Sequence, residues 1–333
     1  MNHPSAGFSF SLSSIYDGSK LECRIHLPRE FKNIELAASW PNRGAIIAHP
    51  YAPLGGNFDD PVVGFVSDEL LDAGCIVGTF NFRGAGDSEG RTSWTAKPEL
   101  GDYVSFYGFM LQYLHFLKLA LAPRGQGASD ARMPTNKEAN HSDSHLILGG
   151  YSYGSLIASH VPTLDTMLNL FDPTSTATTR STPLAEIRDT AKRIAAATLD
   201  RLQISHTVAD DLNLRVWPTS ISYLLVSPLL PPISQFLTMF STLSLEMKTE
   251  PQSPRIPCPR PTDQQSTNTV LALFGDQDNF TSAGKLQKWS DEMAHKPDSR
   301  FQFRMIAGAG HFWREDGVEE QARHALKEWV CQI

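Results

Sequence analysis

The chain is 333 residues long, 41% apolar and 20% charged, a balance typical of soluble globular chains with room for a sizeable core. Its 29 Lys and Arg against 36 Asp and Glu leave a formal charge of −7, which argues against a nucleic-acid partner, because such proteins display a basic patch or stripe. Four scattered cysteines, Cys23, Cys75, Cys258 and Cys331, form no CxxC pair, residues 1–11 lack the features of a secretory leader, and no run approaches 18 apolar residues; a reduced, cytoplasmic setting without a membrane span is the expectation.

Residues 8–14 alternate apolar and polar side chains, Asp17-Gly18 supplies a turn, and residues 21–27 resume the pattern, which reads as a β-hairpin. Short apolar runs follow at 45–48, 75–82, 146–148, 221–226, 270–274 and 301–306, as expected of strands buried on both faces of a parallel sheet. Helical spacing occupies 62–72, 103–121, 155–170, 233–247, 284–293 and 318–330. The alternation predicts an α/β fold: a mostly parallel sheet of about eight strands with helices on both faces. Length alone suggests about two domains. The motifs below favour one domain over 8–332 with insertions.

Three segments interrupt the alternation. Residues 122–144 have no periodicity and read as a loop. Residues 171–220 begin Ser/Thr-rich and continue into an amphipathic helix near 185–202, with Ile187, Ala191, Ile194, Ala195, Leu199 and Leu202 on one face. Residues 249–268 carry five prolines.

The sharpest motif is Gly150-Tyr151-Ser152-Tyr153-Gly154, a G-x-S-x-G between a predicted strand and a predicted helix. A serine on such a turn is presented at the carboxyl edge of the sheet, and flanking glycines let helix and strand approach. A nucleophilic serine needs an acid and a histidine later in the chain. Two carboxylates, Asp276 and Asp278, follow the run 270–274, the former suited to capping a turn. His311 lies in the small-residue loop Ala307-Gly308-Ala309-Gly310 after the run 301–306, and alone of eleven histidines meets the order and loop requirements. The expected chemistry is nucleophilic attack by Ser152 with His311 as base and a carboxylate as its orienter.

A developing oxyanion needs backbone donors. Tyr153 supplies one. The other must come from His49-Pro50-Tyr51-Ala52-Pro53-Leu54-Gly55-Gly56, where the prolines cannot donate; of Tyr51 and Ala52, Tyr51 is preferred. His49 reads as a buried residue shaping that loop. Leu54, Leu229, Phe280, Phe312 and Trp313, with Tyr51 and Tyr153, flank these positions and outline an apolar pocket. Residues 227–262 leave the sheet at its carboxyl edge and are the candidate lid; within them 227–245, with Leu229, Leu230, Phe236 and Met239, are expected to roof the pocket. No His, Cys, Asp and Glu cluster stands at metal-ligand spacing, so neither metal nor cofactor is expected, and the partner is a small-molecule substrate. The sequence carries no signal for oligomeric state.

Together with Phe80-Asn81-Phe82-Arg83-Gly84-Ala85-Gly86-Asp87-Ser88-Glu89-Gly90, these motifs resemble the α/β-hydrolase superfamily, in particular its small esterase-like branch with HPxxxxGG and NFRGxGxSEG motifs. The resemblance covers most of 8–332. It implies Asp278 as the acid, at the G-x-x-D position, and a structural role for Arg83. The Ser/Thr- and Pro-rich insertions look like those of fungal members, several of which serve natural-product pathways. The implied activity is a serine hydrolase of an apolar ester, thioester or lactone. The alternatives are epoxide opening or cyclisation with His311 and Asp278 as general base, or a ligand receptor without catalysis.

Overall fold

The computed structural model describes residues 6–122, 144–172, 182–204, 214–215, 218–248 and 255–333. The loop expected at 122–144, apart from its ends, and most of the Ser/Thr-rich stretch lie outside the described residues.

Strands β1 (Phe8–Ser13) and β2 (Lys20–His26) form the expected hairpin, with Phe8 opposite Ile25 and Leu12 opposite Leu21. Its turn is closed by the Asp17 side chain, which accepts the Ser19 N–H at 3.1 Å, and by Gly18 at φ 82°. The short helix α1 (Ile34–Ala37) leads to β3 (Arg43–Ala48). Helix α2 (Pro61–Asp72) starts on an Asp60 cap with Pro at its first position, a strong start signal, and returns the chain to β4 (Ile76–Phe80). Helix α3 (Lys97–Leu121) then precedes β5 (Ser144–Tyr151).

The helical pattern at 155–170 resolves into two pieces, α4 (Tyr153–Ala158) and α5 (Leu164–Leu170). Pro162 lies in the gap; it cannot donate and disfavours helix at the residue before it. Thr163 then caps α5. Helix α6 (Thr182–Arg201) precedes β6 (Thr219–Val226). The helix expected over 233–247 is also shorter, α7 (Ile233–Leu237). Met239 and Phe240 enter the left-handed region at φ 47° and 55° and end it. The chain then forms a small antiparallel pair, β7 (Ser244–Leu245) with β8 (Ile256–Pro257). Helix α8 (Pro261–Thr267), β9 (Thr269–Gly275), α9 (Ala283–Ala294), β10 (Arg300–Ile306) and α10 (Val318–Val330) complete the chain.

Among the described residues the main sheet has eight strands in the order β1-β2-β4-β3-β5-β6-β9-β10. The first three pair antiparallel and the other contacts are parallel. Each face has its own core. One holds Val62, Phe65, Leu70, Leu326 and Trp329 from α2 and α10. The other holds Phe106, Phe109 and Tyr113 from α3 with Ile187, Ala191 and Leu199 from α6. This second arrangement explains why α3 is apolar nearly all round: it lies between the sheet and a further helix. Tyr113 and Thr198 hydrogen-bond across that seam at 2.9 Å. Helix α6, for all its length, therefore serves as an outer layer over α3.

After β4, Arg83 locks the hairpin to α3. Its Nε and Nη2 donate to the Asp102 carboxylate at 2.9 and 2.7 Å, and Nη1 donates to Asp17 at 2.9 Å. The Arg83 and Asp102 side chains are 5% and 0% exposed, so losing Asp102 removes the buried counter-ion and leaves the guanidinium to the exposed Asp17. Asp102→Ala is expected to lower unfolding free energy by about 3–5 kcal/mol, read by urea denaturation; a loss within about 0.5 kcal/mol, the range of ordinary surface substitutions, would show that the pair is dispensable.

Candidate active site

All the parallel strands present their carboxyl ends at one edge, and the candidate residues collect there. Ser152 follows β5 directly. Its N–H donates to Val226 O at 2.8 Å, and it sits at φ 55°, ψ −112°, a strained conformation for a residue with a side chain. The two glycines of the motif make the turn sterically feasible. A Cβ on Gly154 would come within 2.3 Å of Ala48 O, and one on Gly150 within 2.3 Å of the Gly154 carbonyl carbon. Helix α4 thus packs its first turn directly on the backbone that follows β3.

The Ser152 Oγ lies 2.8 Å from His311 Nε2, and His311 Nδ1 donates to Asp278 Oδ2 at 2.7 Å. The second Asp278 oxygen accepts the Phe280 and Thr281 N–H groups at 2.8 and 3.0 Å. Asp276 turns the other way, accepting the Gly308 N–H at 2.8 Å. It ties the β9 loop to the β10 loop. The imidazole is further held by Phe280, whose ring lies 4.2 Å away at 28°, and the His311 backbone by the Tyr151 hydroxyl, which donates to His311 O at 2.7 Å. Ser152, Asp278 and His311 are 6%, 6% and 4% exposed.

Tyr153 is the first residue of α4, where an N–H has no intrahelical partner. Tyr51 opens a short turn over Ala52–Leu54, and its carbonyl accepts the Leu54 and Gly56 N–H groups. The two tyrosine rings pack together at 5.1 Å. His49 shapes this loop. It is fully buried, donates from Nδ1 to Pro50 O at 2.6 Å and accepts the Phe82 N–H on Nε2 at 2.9 Å. Burial lowers its pKa to about 4, so it stays neutral and keeps both bonds.

A cavity of about 470 Å³ opens over Ser152 and His311. Of the residues read from sequence, Leu54, Leu229, Phe280, Phe312 and Tyr51 line it. Trp313 does not. It is 7% exposed, its indole N–H donates to Ser227 Oγ at 2.9 Å, and its ring faces Phe65. With φ 53°, Trp313 turns away from the side occupied by Phe312 and joins the β10 loop to the β6 loop. Tyr153 also points its ring inward, leaving its backbone as the part near the site.

The roof is shorter than expected. Leu229, Ile233, Phe236 and Leu237 line the cavity, whereas Leu230 lines a neighbouring one and Met239 is exposed. Beyond α7, Leu243 and Leu245 bury in the main core and Glu246 pairs with Lys97 of α3, drawing the chain away from the site. Sequence reasoning missed Tyr151, Asp60 and Arg314 as lining residues. Tyr151 was legible, being the variable position of the serine motif itself; Asp60 was legible only as a helix cap, and Arg314 carried no signal. Among the described residues, no three His, Cys, Asp or Glu side chains converge as a metal site requires, and no helix is long and apolar enough to cross a membrane.

No family model matches the chain, and no curated protein matches it. Solved structures do. A protein of unknown function from Agrobacterium tumefaciens, described as an α/β hydrolase, aligns over 98% of this chain and 95% of its own at TM-score 0.51 and 15% identity. The chain has the α/β-hydrolase fold. An α/β serine hydrolase without lid from Xanthomonas campestris aligns over 99% and 97% (TM-score 0.49, 16% identity), and the ferulic-acid-bound Est1E of Butyrivibrio proteoclasticus over 97% and 98% (TM-score 0.48, 14% identity).

The neutral, buried His49 of this α/β-hydrolase fold has a consequence for pH dependence. In the unfolded chain the imidazole takes up a proton below its ordinary pKa of 6.5, which the folded state resists down to about 4. Its stabilising contribution is complete above pH 6.5 and is lost as the pH falls from 6.5 toward 4, by up to about 3 kcal/mol. Urea unfolding measured across that window is expected to show a shallower fall for His49→Asn than for the parent; parallel curves would contradict this.

Proposed function

We propose that this protein is a serine hydrolase that cleaves an ester, thioester or lactone of a largely apolar small molecule through an acyl-enzyme on Ser152. The observation that carries this reading is the unbroken line from Ser152 Oγ through His311 to Asp278, facing a mainly apolar cavity of about 470 Å³. In this mechanism His311 Nε2 takes the hydroxyl proton as Ser152 Oγ bonds to the carbonyl carbon. The Tyr51 and Tyr153 N–H groups receive the charge that develops on the carbonyl oxygen. Collapse breaks the bond to the alkoxide or thiolate, which leaves with the proton from His311. Water, deprotonated by the same imidazole, then attacks the acyl carbon and releases the acid and free Ser152. Asp278 holds the ring in the tautomer that keeps Nε2 basic toward serine and stabilises the imidazolium.

Leu54, Leu229, Phe280 and Phe312 form the apolar walls for the substrate. One catalytic domain is the natural unit, because the three residues come from the ends of β5, β9 and β10 in one sheet. Epoxide opening or cyclisation by His311 as a base on water or a substrate hydroxyl is the less supported reading, since Nε2 is already engaged by the Ser152 hydroxyl.

A fluorophosphonate probe is expected to label the protein and to fail on Ser152→Ala. Turnover of p-nitrophenyl esters is expected to fall about 10⁴- to 10⁶-fold in kcat for Ser152→Ala or His311→Ala. An active Ser152→Ala with an inactive His311→Ala would refute the acyl-enzyme and favour general-base chemistry.

A further inference from the structure

A second cavity, of about 270 Å³, lies behind the serine helix. Among the described residues, Leu229 alone lines both this cavity and the first. Four of the second cavity's polar side chains each spend a hydrogen-bonding group within the protein, whereas Gln265 Oε1 is buried without a hydrogen-bond partner. Ser155 Oγ donates to Ser152 O, Ser159 Oγ donates to Ser155 O, His160 Nδ1 donates to Leu156 O, and Gln265 Nε2 donates to Ser159 Oγ. What remains for an occupant is chiefly hydrocarbon, including Leu156, Leu225, Leu230 and the Trp289 ring.

The partition has a fixed backbone and one apolar side chain. Pro228, Pro231 and Pro232 restrict the chain on both sides of Leu229. The Leu230 N–H donates to Thr281 Oγ1 at 3.3 Å, and Lys285 Nζ donates to Pro231 O at 2.5 Å. Leu229 is 6% exposed, with cavity space on two sides.

We propose that Leu229 is a specificity-determining residue: it ends the apolar site above Ser152 and so sets the length of acyl chain taken, closing off a cavity suited to further methylenes. This rests on the acyl-enzyme reading for the reaction and adds the determinant of chain length. Shortening Leu229 joins the two spaces, and a longer alkyl chain then runs past position 229 into the compartment behind α4. Each added methylene that finds apolar cover there is expected to raise kcat/KM about fourfold.

The test is a series of p-nitrophenyl esters from acetate to palmitate. In the parent, kcat/KM is expected to rise with chain length and then stop rising; in Leu229→Ala the rise continues to longer chains, so the ratio of long- to short-chain kcat/KM increases. Leu229→Val, a milder truncation, is expected to move that ratio the same way by less. Adding Ser234→Phe, which fills the second cavity, is expected to return the Leu229→Ala ratio toward the parent. A binding measurement needs no turnover. In a Ser152→Ala background, a long-chain fatty acid brominated at its terminal carbon is expected to quench Trp289, read as the difference from Trp289→Phe, only when Leu229 is also Ala. Folded variants that turn over esters with an unchanged length profile, and show no Trp289 quenching, overturn the proposal while leaving the hydrolytic reading intact. Quenching without any turnover upholds the partition and overturns the hydrolytic reading. Absence of both overturns both.

Discussion

Ser152 adopts φ 55° and ψ −112° because helix α4 must leave β5 while its first turn rests on the carbonyls of Ala48 and His49. No gap exists at Gly150 or Gly154 for a side chain, so the serine, the loop after β3 and the start of α4 form one packed unit. The backbone strain at the serine, of order 1–3 kcal/mol, is held by that packing. The same contact brings the Tyr51 and Tyr153 rings together and so sets the distance between the two proposed donors. His49, bonded to both Pro50 and Phe82, ties this unit to the end of β4.

Opposite the serine, two loops are fastened to each other before either reaches it. The Asp276 and Gln277 N–H groups donate to Ile306 and Ala309 carbonyls, Gly308 donates to Asp276, and Gly275 approaches Ala309 too closely for a Cβ. Asp278 and His311 are therefore held in a fixed relation to each other. Trp313 adds a bond to Ser227 at the end of β6, so four adjacent strand ends share one set of contacts. Loop residues placed in this way have the precision of the scaffold beneath them.

The sheet and its helices were legible because burial on both faces writes continuous apolar runs, as at residues 45–48 and 270–274. The serine turn was legible because close backbone approach leaves no room for a Cβ at the flanking positions, which confines them to glycine. Other features carried no local signature. The 233–247 pattern has helical spacing, yet Phe236, Met239 and Phe240 are exposed, so no packing continues the helix beyond Leu237. Trp313 and Phe312 are neighbours of the same chemical kind, and only the backbone turn at 313 sends one to the core and the other to the cavity. The insertion at 171–220 disclosed an amphipathic helix, but its partner α3 could be named only once both faces of α3 were seen to be covered.

The sequence by itself determined the element types, the serine, histidine and carboxylate candidates and their order, since these depend on periodicity, turn sterics and residue chemistry within short windows. Tertiary structure decided which carboxylate meets His311, which aromatics face the cavity, and how far the roof extends. It also decided that one leucine stands between two apolar spaces. Those outcomes depend on the direction of single side chains in loops that strands far apart in sequence bring together, and no local pattern encodes such directions.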